Sequence, residues 1–256
     1  MTESAEPASY LAGRRVLVTG GASGIGAACA LRFAAAGAAV VVADLNEAGA
    51  KQVASSAGGE AAVVDLADPS FDAAALAGAA DIIVNNAGVQ HVAPVEDFPE
   101  EQFRLLLALM LEAPFRLVRA ALPHMYEQQF GRIVNISSVH GLRASAFKSG
   151  YVAAKHGLEG LSKTIALEGG GRGVTSNTIC PAYVRTPLVE KQIADQARVH
   201  GIPAEEVVSR IMLTEPAIKR LVEPEEVAEM AVYLCGPHAS FANGSSFVLD
   251  GGWTAR

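Results

Sequence analysis

Residues 16–26 read VLVTGGASGIG, an apolar run that leads into a turn with four glycines. A helical pattern follows as far as Ala36, and Gly37 is a typical residue for the end of that helix. The stretch therefore predicts a strand, a tight turn and a helix. Glycines at such a turn let the backbone approach a phosphate, and the helix N-terminus offers N–H donors and the positive end of its dipole. We expect a pyrophosphate to bind at Gly20, Ser23, Gly24, Ile25 and Gly26.

A second apolar run, Val40–Ala43, ends in an acid. Asp44 follows Gly26 by eighteen residues, close to the spacing of about 20 for an acid that binds the ribose of a dinucleotide. Its carboxylate can accept hydrogen bonds from ribose hydroxyls and would repel a 2′-phosphate. No Arg or Lys stands within the glycine turn or directly after Asp44 to offset that repulsion. NAD is therefore favoured over NADP, and the alternative is a solvated acid in a loop.

Further short apolar runs continue the alternation of strand and helix. They lie at 62–64, 82–84, 132–136, 175–179 and 246–249, with helical patterns between them. Continuous apolar strands are typical of a parallel sheet covered on both faces. We predict an α/β fold with a doubly wound, parallel, seven-stranded sheet, in a single domain over residues 13–256 after a flexible leader at 1–12. Ligands of such sheets bind at the carboxyl ends of the strands.

Composition excludes several classes of protein. The chain has 256 residues, half of them hydrophobic, which suffices for one full core. No apolar run reaches the ~18 residues of a membrane span, and the acidic start is not a targeting signal. The three cysteines show no metal-ligand spacing, so no metal is expected. A net charge of −7 argues against nucleic acid as the main partner and predicts a local positive pocket for any anionic substrate. We expect a cytoplasmic protein.

The candidate catalytic residues lie in residues 138–155, which read SVHGLRASAFKSGYVAAK. Ser138 follows a strand-like run, Tyr151 comes thirteen residues later, and Lys155 four residues after that. Residues four apart share one face of a helix, and an ammonium lowers the pKa of a neighbouring phenol. A hydroxyl, a phenol and an ammonium around one substrate oxygen could interconvert an alcohol and a carbonyl. A tyrosine and a lysine at this spacing can also be an ordinary surface pair.

These motifs together resemble the short-chain dehydrogenase/reductase family from about residue 13 to the end. The glycine turn, Asn85–Gly88, Ser138, Tyr151 with Lys155, and Pro181 with Thr186 follow the order and spacing of that family. The resemblance implies a Rossmann fold, a homotetramer and an NAD(P) cofactor. It makes Tyr151 the general acid and base, Ser138 the partner of the substrate oxygen, and Lys155 the group that lowers the tyrosine pKa and binds the nicotinamide ribose. Further implied cofactor contacts are Asp65, Asn86, Ala87, Gly88, Pro181, Val184 and Thr186.

Within the family, several segments resemble the D-3-hydroxybutyrate dehydrogenase group. They are residues 86–94, 138–141, 148–157, 186–193 and 250–254. The likeness implies reversible oxidation of (R)-3-hydroxybutyrate to acetoacetate, a reaction of ketone body metabolism. It implies that Gln90, His140, Lys148 and Gln192 hold the substrate carboxylate, and that Tyr183 and Trp253 line the apolar side. Residues 186–215, interrupted by Gly201 and Pro203, are expected to form a lid.

The chain departs from the family pattern at a few positions. Met110 stands where many members carry an Asn whose backbone kink holds a water of the proton relay. Tyr183 replaces a frequent Trp, and Ala182 a frequent Gly. Arg143 is an additional cation, either a second carboxylate anchor or a solvated side chain.

Two alternative functions stay open. One is an enzyme for another small alcohol, sugar or 3-oxoacyl substrate. The other is a non-catalytic dinucleotide-binding protein, which Met110 alone favours.

Overall fold

Seven parallel strands form the centre of the protein. The computed structural model describes residues 9–255. The strands are β1 Arg15–Thr19, β2 Ala39–Asp44, β3 Glu60–Val63, β4 Ile82–Asn85, β5 Gly131–Ile136, β6 Val174–Pro181 and β7 Ser246–Leu249. They pair in the order β3-β2-β1-β4-β5-β6-β7, which confirms the predicted sheet. The order reverses between β1 and β4, and this switch point opens a crevice at the strand carboxyl ends.

Helices cover both faces of the sheet, as the continuous apolar strands predict. They are α1 Gly24–Ala35, α2 Glu47–Ala57, α3 Ala73–Ala77, α4 Glu100–Leu107, α5 Ala113–Glu127, α6 Ser149–Gly169, α7 Pro187–His200, α8 Ala204–Val207 and α9 Pro224–Cys235. Successive strand residues point to opposite faces. Val16 and Val18 of β1 therefore join the core under α1 and α9, whereas Leu17 between them joins the core under α3 and α5.

The chain before β1 packs onto this core at the last residues of the predicted leader. Residues 1–8 of that leader lie outside the described residues. Leu11 is buried, and its N–H donates to the carbonyl of Ala36 just after α1. None of the helices within residues 9–255 is both long and apolar enough to cross a membrane.

The two helices that the sequence predicts at 99–111 and 112–129 are joined by a wider turn. Residues Ala108–Glu112 form a π-helical turn between α4 and α5, where the N–H of Ala113 bonds to the carbonyl of Ala108. Pro114 has no N–H to offer the carbonyl of Met110, four residues earlier, so a regular helix cannot continue here. Met110 is 1% exposed within this turn. The kinked backbone is therefore present although the chain carries no Asn at this position.

Gly26 allows α1 to cross the glycine turn at close range. A Cβ atom at this position would lie 2.1 Å from the carbonyl oxygen of Gly20 and 2.6 Å from Nδ2 of Asn86. Both distances are too short for a carbon atom, so the turn and the helix would have to separate.

We predict that Gly26→Ala lowers the free energy of unfolding by ~2 kcal/mol, the usual cost of overpacking. Helix propensity alone would raise the free energy of unfolding by about 1 kcal/mol. The sign of the change therefore distinguishes overpacking from helix propensity. Urea denaturation measures it. Ala35→Gly, at an exposed position of the same helix, is the matched control and should cost no more than ~1 kcal/mol. A Gly26→Ala protein as stable as the parent would contradict the crossing.

Candidate active site

A cavity of ≈ 780 Å³ opens at the carboxyl ends of the strands, as the switch point requires. Every site residue that the sequence predicts lines this cavity, with the exception of Gly26. Gly26 lies beneath the lining, where its missing side chain lets Gly20 and Asn86 approach. Sequence positions as far apart as Gly20 and Trp253 therefore meet at one site.

The ends of β1 and β4 are joined by a small hydrogen-bond network. Oγ1 of Thr19 accepts the N–H groups of Asn86 and Ala87 at 3.0 and 3.1 Å and donates to the carbonyl of Val84 at 3.2 Å. Nδ2 of Asn86 donates to the carbonyls of Thr19 and Gly20 at 2.9 and 3.0 Å. A Cβ atom on Gly20, whose φ is +63°, would lie 2.8 Å from Cα of Ala87. Only glycine fits at this position.

Helix α7 begins against the glycine turn. Thr186 caps the helix, and its Oγ1 accepts the N–H of Val189 at 3.4 Å. A Cβ atom on Gly24 would lie 2.9 Å from Cγ2 of Thr186. The missing side chain therefore leaves a backbone surface between the start of α1 and the start of α7. That surface fits a diphosphate, because a helix N-terminus attracts anions.

At the end of the cavity next to β2, hydrogen bonds fix the orientation of a carboxylate. Asp44 at the end of β2 accepts the N–H of Ala22 at 2.9 Å on Oδ2 and the N–H of Asn46 at 2.9 Å on Oδ1. Leu45 and Leu66 line the same end. Sequence reasoning missed these leucines, since a leucine after a strand has no pattern that separates a ligand contact from a core residue.

Ser138 stands at the end of β5, where the chain turns toward the cavity. Its φ of −168° is extended, and its Oγ accepts the N–H of His140 at 3.1 Å, which caps a short 3-10 turn at Val139–Gly141. The hydroxyl also forms a hydrogen bond with the side chain of Tyr151. Ser138 and Tyr151 thus meet although they come from a strand end and a helix.

Tyr151 and Lys155 share one face of α6. Burial raises the pKa of Tyr151 to about 12, opposed by the hydrogen bond from Ser138. Burial lowers the pKa of Lys155 to about 8. Nζ of Lys155 donates to the carbonyl of Ile136 at 2.6 Å and lies 5.6 Å from the ring centroid of Tyr151. The lowered tyrosine pKa that the sequence predicts is thus absent from this structure, because desolvation of the phenol outweighs the distant ammonium.

A second lysine is buried beside the catalytic candidates. Lys148 is 2% exposed, and its Nζ lies 3.3 Å from Nε2 of His140 and donates to the hydroxyl of Tyr183 at 3.0 Å. Burial lowers the pKa of Lys148 to about 8. Burial and the neighbouring ammonium lower the pKa of His140 to about 3, so the imidazole is neutral. Nε2 then accepts from Lys148, and Nδ1–H faces Oγ of Ser145 at 3.2 Å.

The cavity around Lys148 is lined by an amide oxygen without a hydrogen-bond partner in the described chain and by aromatic rings. Oε1 of Gln192 on α7 is buried and has no hydrogen-bond partner among the described residues. Tyr183 and Trp253 stack with ring centroids 6.0 Å apart, and His140 meets Trp253 edge-on at 5.6 Å. A buried carbonyl oxygen without a donor is rare in folded proteins and is a common feature of ligand sites. The subsite is thus polar at one end and apolar at the other.

Three other polar residues occupy different positions. Gln90 lines the cavity, and its Oε1 accepts the N–H of His91 at 3.1 Å. Arg143 is not part of the cavity lining, and its guanidinium donates to the carbonyl of Thr254 at 3.2 Å. Lys191, an exposed residue on α7, lines the cavity and was missed by sequence reasoning.

The chain is similar to known proteins over almost its full length. A family model described as enoyl-(acyl carrier protein) reductase matches residues 20–254. The D-beta-hydroxybutyrate dehydrogenase of Rhizobium meliloti is 46% identical over 259 residues, covering 95% of this chain and 99% of that protein. The protein of the same name from Cupriavidus necator is 41% identical over 257 residues, covering 96% of this chain and 100% of the other.

Solved structures have the same fold. A protein described as a short chain dehydrogenase/reductase family protein superposes with a TM-score of 0.86 at 34% identity, covering 96% of this chain and 100% of that one. A candidate 2-deoxy-d-gluconate 3-dehydrogenase from Agrobacterium tumefaciens, solved with bound NADP, gives a TM-score of 0.83 at 33% identity, covering 98% and 100%.

We predict that Lys148→Met stabilises the protein without ligand. The pKa of Lys148 falls from 10.5 to about 8 on folding, so burial of the ammonium costs ~3 kcal/mol below pH 8. The penalty shrinks as the pH rises above about 8 and is gone above 10.5, where Lys148 is neutral in both states. Lys148→Met should therefore gain ~2 kcal/mol at pH 7, with the gain vanishing toward pH 10.5.

Denaturant unfolding over a pH series measures this difference. Lys163→Met, at an exposed position of the same helix, is the matched control and should change stability little. A Lys148→Met protein less stable than the parent at neutral pH would show that the hydrogen bonds of Lys148 outweigh the cost of its burial.

Proposed function

The chain belongs to the short-chain dehydrogenase/reductase family, and we propose that it is an NAD-dependent dehydrogenase that interconverts (R)-3-hydroxybutyrate and acetoacetate. The observation that carries the substrate proposal is the buried ammonium of Lys148, which lines the same cavity as Ser138 and Tyr151. An ammonium out of water needs an anion, and a short hydroxy acid supplies one. The names of the two similar hydroxybutyrate dehydrogenases support the same substrate.

The residues of the cavity fit a nicotinamide dinucleotide. The backbone at Gly20 and Gly24 is open to the diphosphate, and Asp44 offers its carboxylate to the adenosine ribose. When bound, the dinucleotide would supply the hydride acceptor of the reaction. Among the described residues that line the cavity, the cationic side chains are Lys148, Lys155 and Lys191. None of these neighbours Asp44 in the chain, which is the reason to prefer NAD over NADP.

The proton chemistry falls to three side chains. Oη of Tyr151 takes the proton of the substrate hydroxyl in oxidation and returns it in reduction. Oγ of Ser138 donates a hydrogen bond to the same substrate oxygen as charge develops on it. The positive charge of Lys155 favours the phenolate form of Tyr151. With the pKa of Tyr151 at about 12 before ligands bind, this charge must gain influence as the cavity fills.

The carboxylate subsite orients the substrate for that transfer. The ammonium of Lys148 and the amide of Gln192 would bind the carboxylate, with His140 and Gln90 beside them. The stacked rings of Tyr183 and Trp253 would face the methyl end. An analogue that lacks the carboxylate would leave the buried ammonium of Lys148 unpaired. The site should therefore reject such an analogue strongly.

The lid is proposed to be residues 186–215, within a single catalytic domain spanning 13–256. Helix α7 links the two ends of the site, because Thr186 caps it beside the glycine turn and Gln192 reaches the cavity farther along. After Gly201, with a φ of +64°, the chain forms α8 and a second π turn at Val208–Met212. Contact between Gln192 and a substrate carboxylate would couple closure to occupancy.

A cytoplasmic homotetramer is the proposed state of the protein. Family resemblance supports the assembly, and large apolar side chains such as Phe115, Leu167 and Phe241 are exposed on the described surface. Cys29, Cys180 and Cys235 are buried free thiols, which suits a reducing compartment.

We predict that Lys148→Met raises KM for (R)-3-hydroxybutyrate more than ~10-fold, because the substrate carboxylate loses a charge-assisted partner. The measurement is NADH formation from NAD over a series of substrate concentrations. Butan-2-ol, which lacks the carboxylate, should be a poor substrate of the parent.

Two controls complete that experiment. Lys163→Met should keep the parent KM, and Tyr151→Phe should abolish turnover because it lacks the phenolic proton acceptor. An unchanged KM in Lys148→Met, or a parent that prefers butan-2-ol or a sugar, would contradict the carboxylate subsite.

For the cofactor, we predict that Asp44→Ser reduces the preference for NAD over NADP by at least ~10-fold. Removing the carboxylate removes its repulsion of a 2′-phosphate and its hydrogen bonds to the ribose. The ratio of kcat/KM for the two cofactors is the measurement. Asp68→Ser, in an exposed turn outside the cavity, should leave the ratio unchanged. A parent enzyme that prefers NADP would contradict the proposal.

A further inference from the structure

An acidic side chain is buried directly behind the catalytic candidates. Glu159 lies on α6 one helical turn after Lys155 and is 5% exposed. It does not line the cavity, so it would touch neither substrate nor cofactor. Glutamate is rarely buried to this extent without a partner of opposite charge. Its surroundings therefore need an explanation.

Three neutral donors surround the carboxylate of Glu159. Oε2 accepts the hydroxyls of Thr178 at 2.9 Å and Ser246 at 2.6 Å, and Oε1 accepts the thiol of Cys180 at 3.2 Å. These donors come from β6 and β7, and α6 packs against β6. A carboxylate can accept all three of these hydrogen bonds.

The negative charge acts on Lys155. Within the described residues, Glu159 forms no ion pair with a lysine, arginine or histidine at contact distance. Burial lowers the pKa of Lys155, and the electrostatic effects of Cys180 and then of Glu159 oppose that lowering. The titratable groups facing Lys155 are Tyr151 and Glu159 on its own helix and Cys180 on β6, whereas β5 presents the carbonyl of Ile136.

Tight packing around Glu159 strengthens the interaction of its charge with the ammonium of Lys155. A Cβ atom at Gly141 would lie 2.5 Å from Oγ of Ser137, 3.2 Å from the carbonyl oxygen of Lys155 and 3.3 Å from Cγ of Glu159. These contacts leave no room for a methyl group, so Cγ of Glu159 and the backbone of Lys155 pack against the same glycine. Charges interact more strongly where water is excluded. Met110, buried in the π turn, offers only a thioether, which is a weak hydrogen-bond acceptor.

We propose that Glu159 is a positioning residue whose buried carboxylate keeps Lys155 protonated during catalysis. The inference rests on the proposed roles of Tyr151 and Lys155. It gives Lys155 a permanent counter-charge inside the fold, which opposes the lowering of its pKa by burial. The carboxylate of Glu159 acts on Lys155 from inside the protein and occupies no space in the cavity.

Competitive acetylation tests the proposal directly. The protein is labelled with acetic anhydride over a pH series, and mass spectrometry of the peptide that carries Lys155 gives the pKa of its ammonium. In Glu159→Gln, which keeps the shape and removes the charge, we expect that pKa to fall by about one unit. Glu159→Asp, which keeps the charge, should restore most of the difference. Ser246→Ala, which removes one donor and leaves the charge, is the matched control.

The pH profile of oxidation provides the functional measurement. Lys155 would lose its proton at lower pH in Glu159→Gln, so the alkaline limb of kcat/KM should move down by the same amount. A purely structural role for Glu159 would change the melting temperature and leave this limb in place. If Glu159→Gln does not fold, the combined variant Glu159→Met, Thr178→Val, Ser246→Ala replaces the whole polar group by apolar side chains and removes the charge.

The outcomes separate this proposal from the proposed function. An unchanged pKa of Lys155 in a folded variant without the charge overturns the role of Glu159, whatever the substrate. A shifted pKa of Lys155 in a protein that oxidises no hydroxy acid supports the coupling and overturns the proposed function.

Discussion

Two buried ammonium groups on one helix are the constraint on which the site depends. Lys148 and Lys155 lie at the start and in the second turn of α6, and burial lowers the pKa of each to about 8. Neither forms an ion pair at contact distance in the part of the chain that the structure describes. At contact distance the fold offers dipoles: the carbonyl of Ile136 to Lys155, and the hydroxyl of Tyr183 and the imidazole of His140 to Lys148. Of the two lysines, Lys148 is therefore the one whose charge stays uncompensated until an anionic ligand binds.

Backbone strain borders the same lysine. Phe147, directly before Lys148, has a φ of +66°, which is unusual for a residue with a side chain. Its carbonyl accepts the N–H of Ala93, and its ring meets that of His200 edge-on at 5.8 Å. Segments near 93 and at the end of α7 thus hold the left-handed residue in place. Strain of this kind persists where surrounding contacts fix the backbone, and here it borders the buried ammonium of Lys148.

The sequence predicted the strands well because most are buried runs of apolar residues. It was least accurate at β3, predicted at 62–64 and found at Glu60–Val63. This edge strand is largely exposed, and its position follows from pairing with β2 rather than from apolar residues. The π turn at Ala108–Glu112 also escaped prediction, since apolar spacing hardly differs between α and π turns. Pro114 was the one local signal for it.

At the site, motif order predicted which residues meet, but not how they interact. Tyr151 and Lys155 share a helix face as their spacing requires, yet burial raises the tyrosine pKa, because spacing carries no information on desolvation. Leu66 was missed for lack of any pattern. Nothing in the sequence marks Glu159 as buried, because the hydroxyls of Thr178 and Ser246 that bind it are brought together only by the sheet.

In the π turn, the shape of the backbone does not depend on which side chain stands at position 110. Its shape depends on the backbone bond between Ala113 and Ala108 and on the missing N–H of Pro114, and not on the side chain of Met110. A substitution at position 110 can therefore change the side chain that packs beside Gly88 and Tyr151 while the path of the main chain persists.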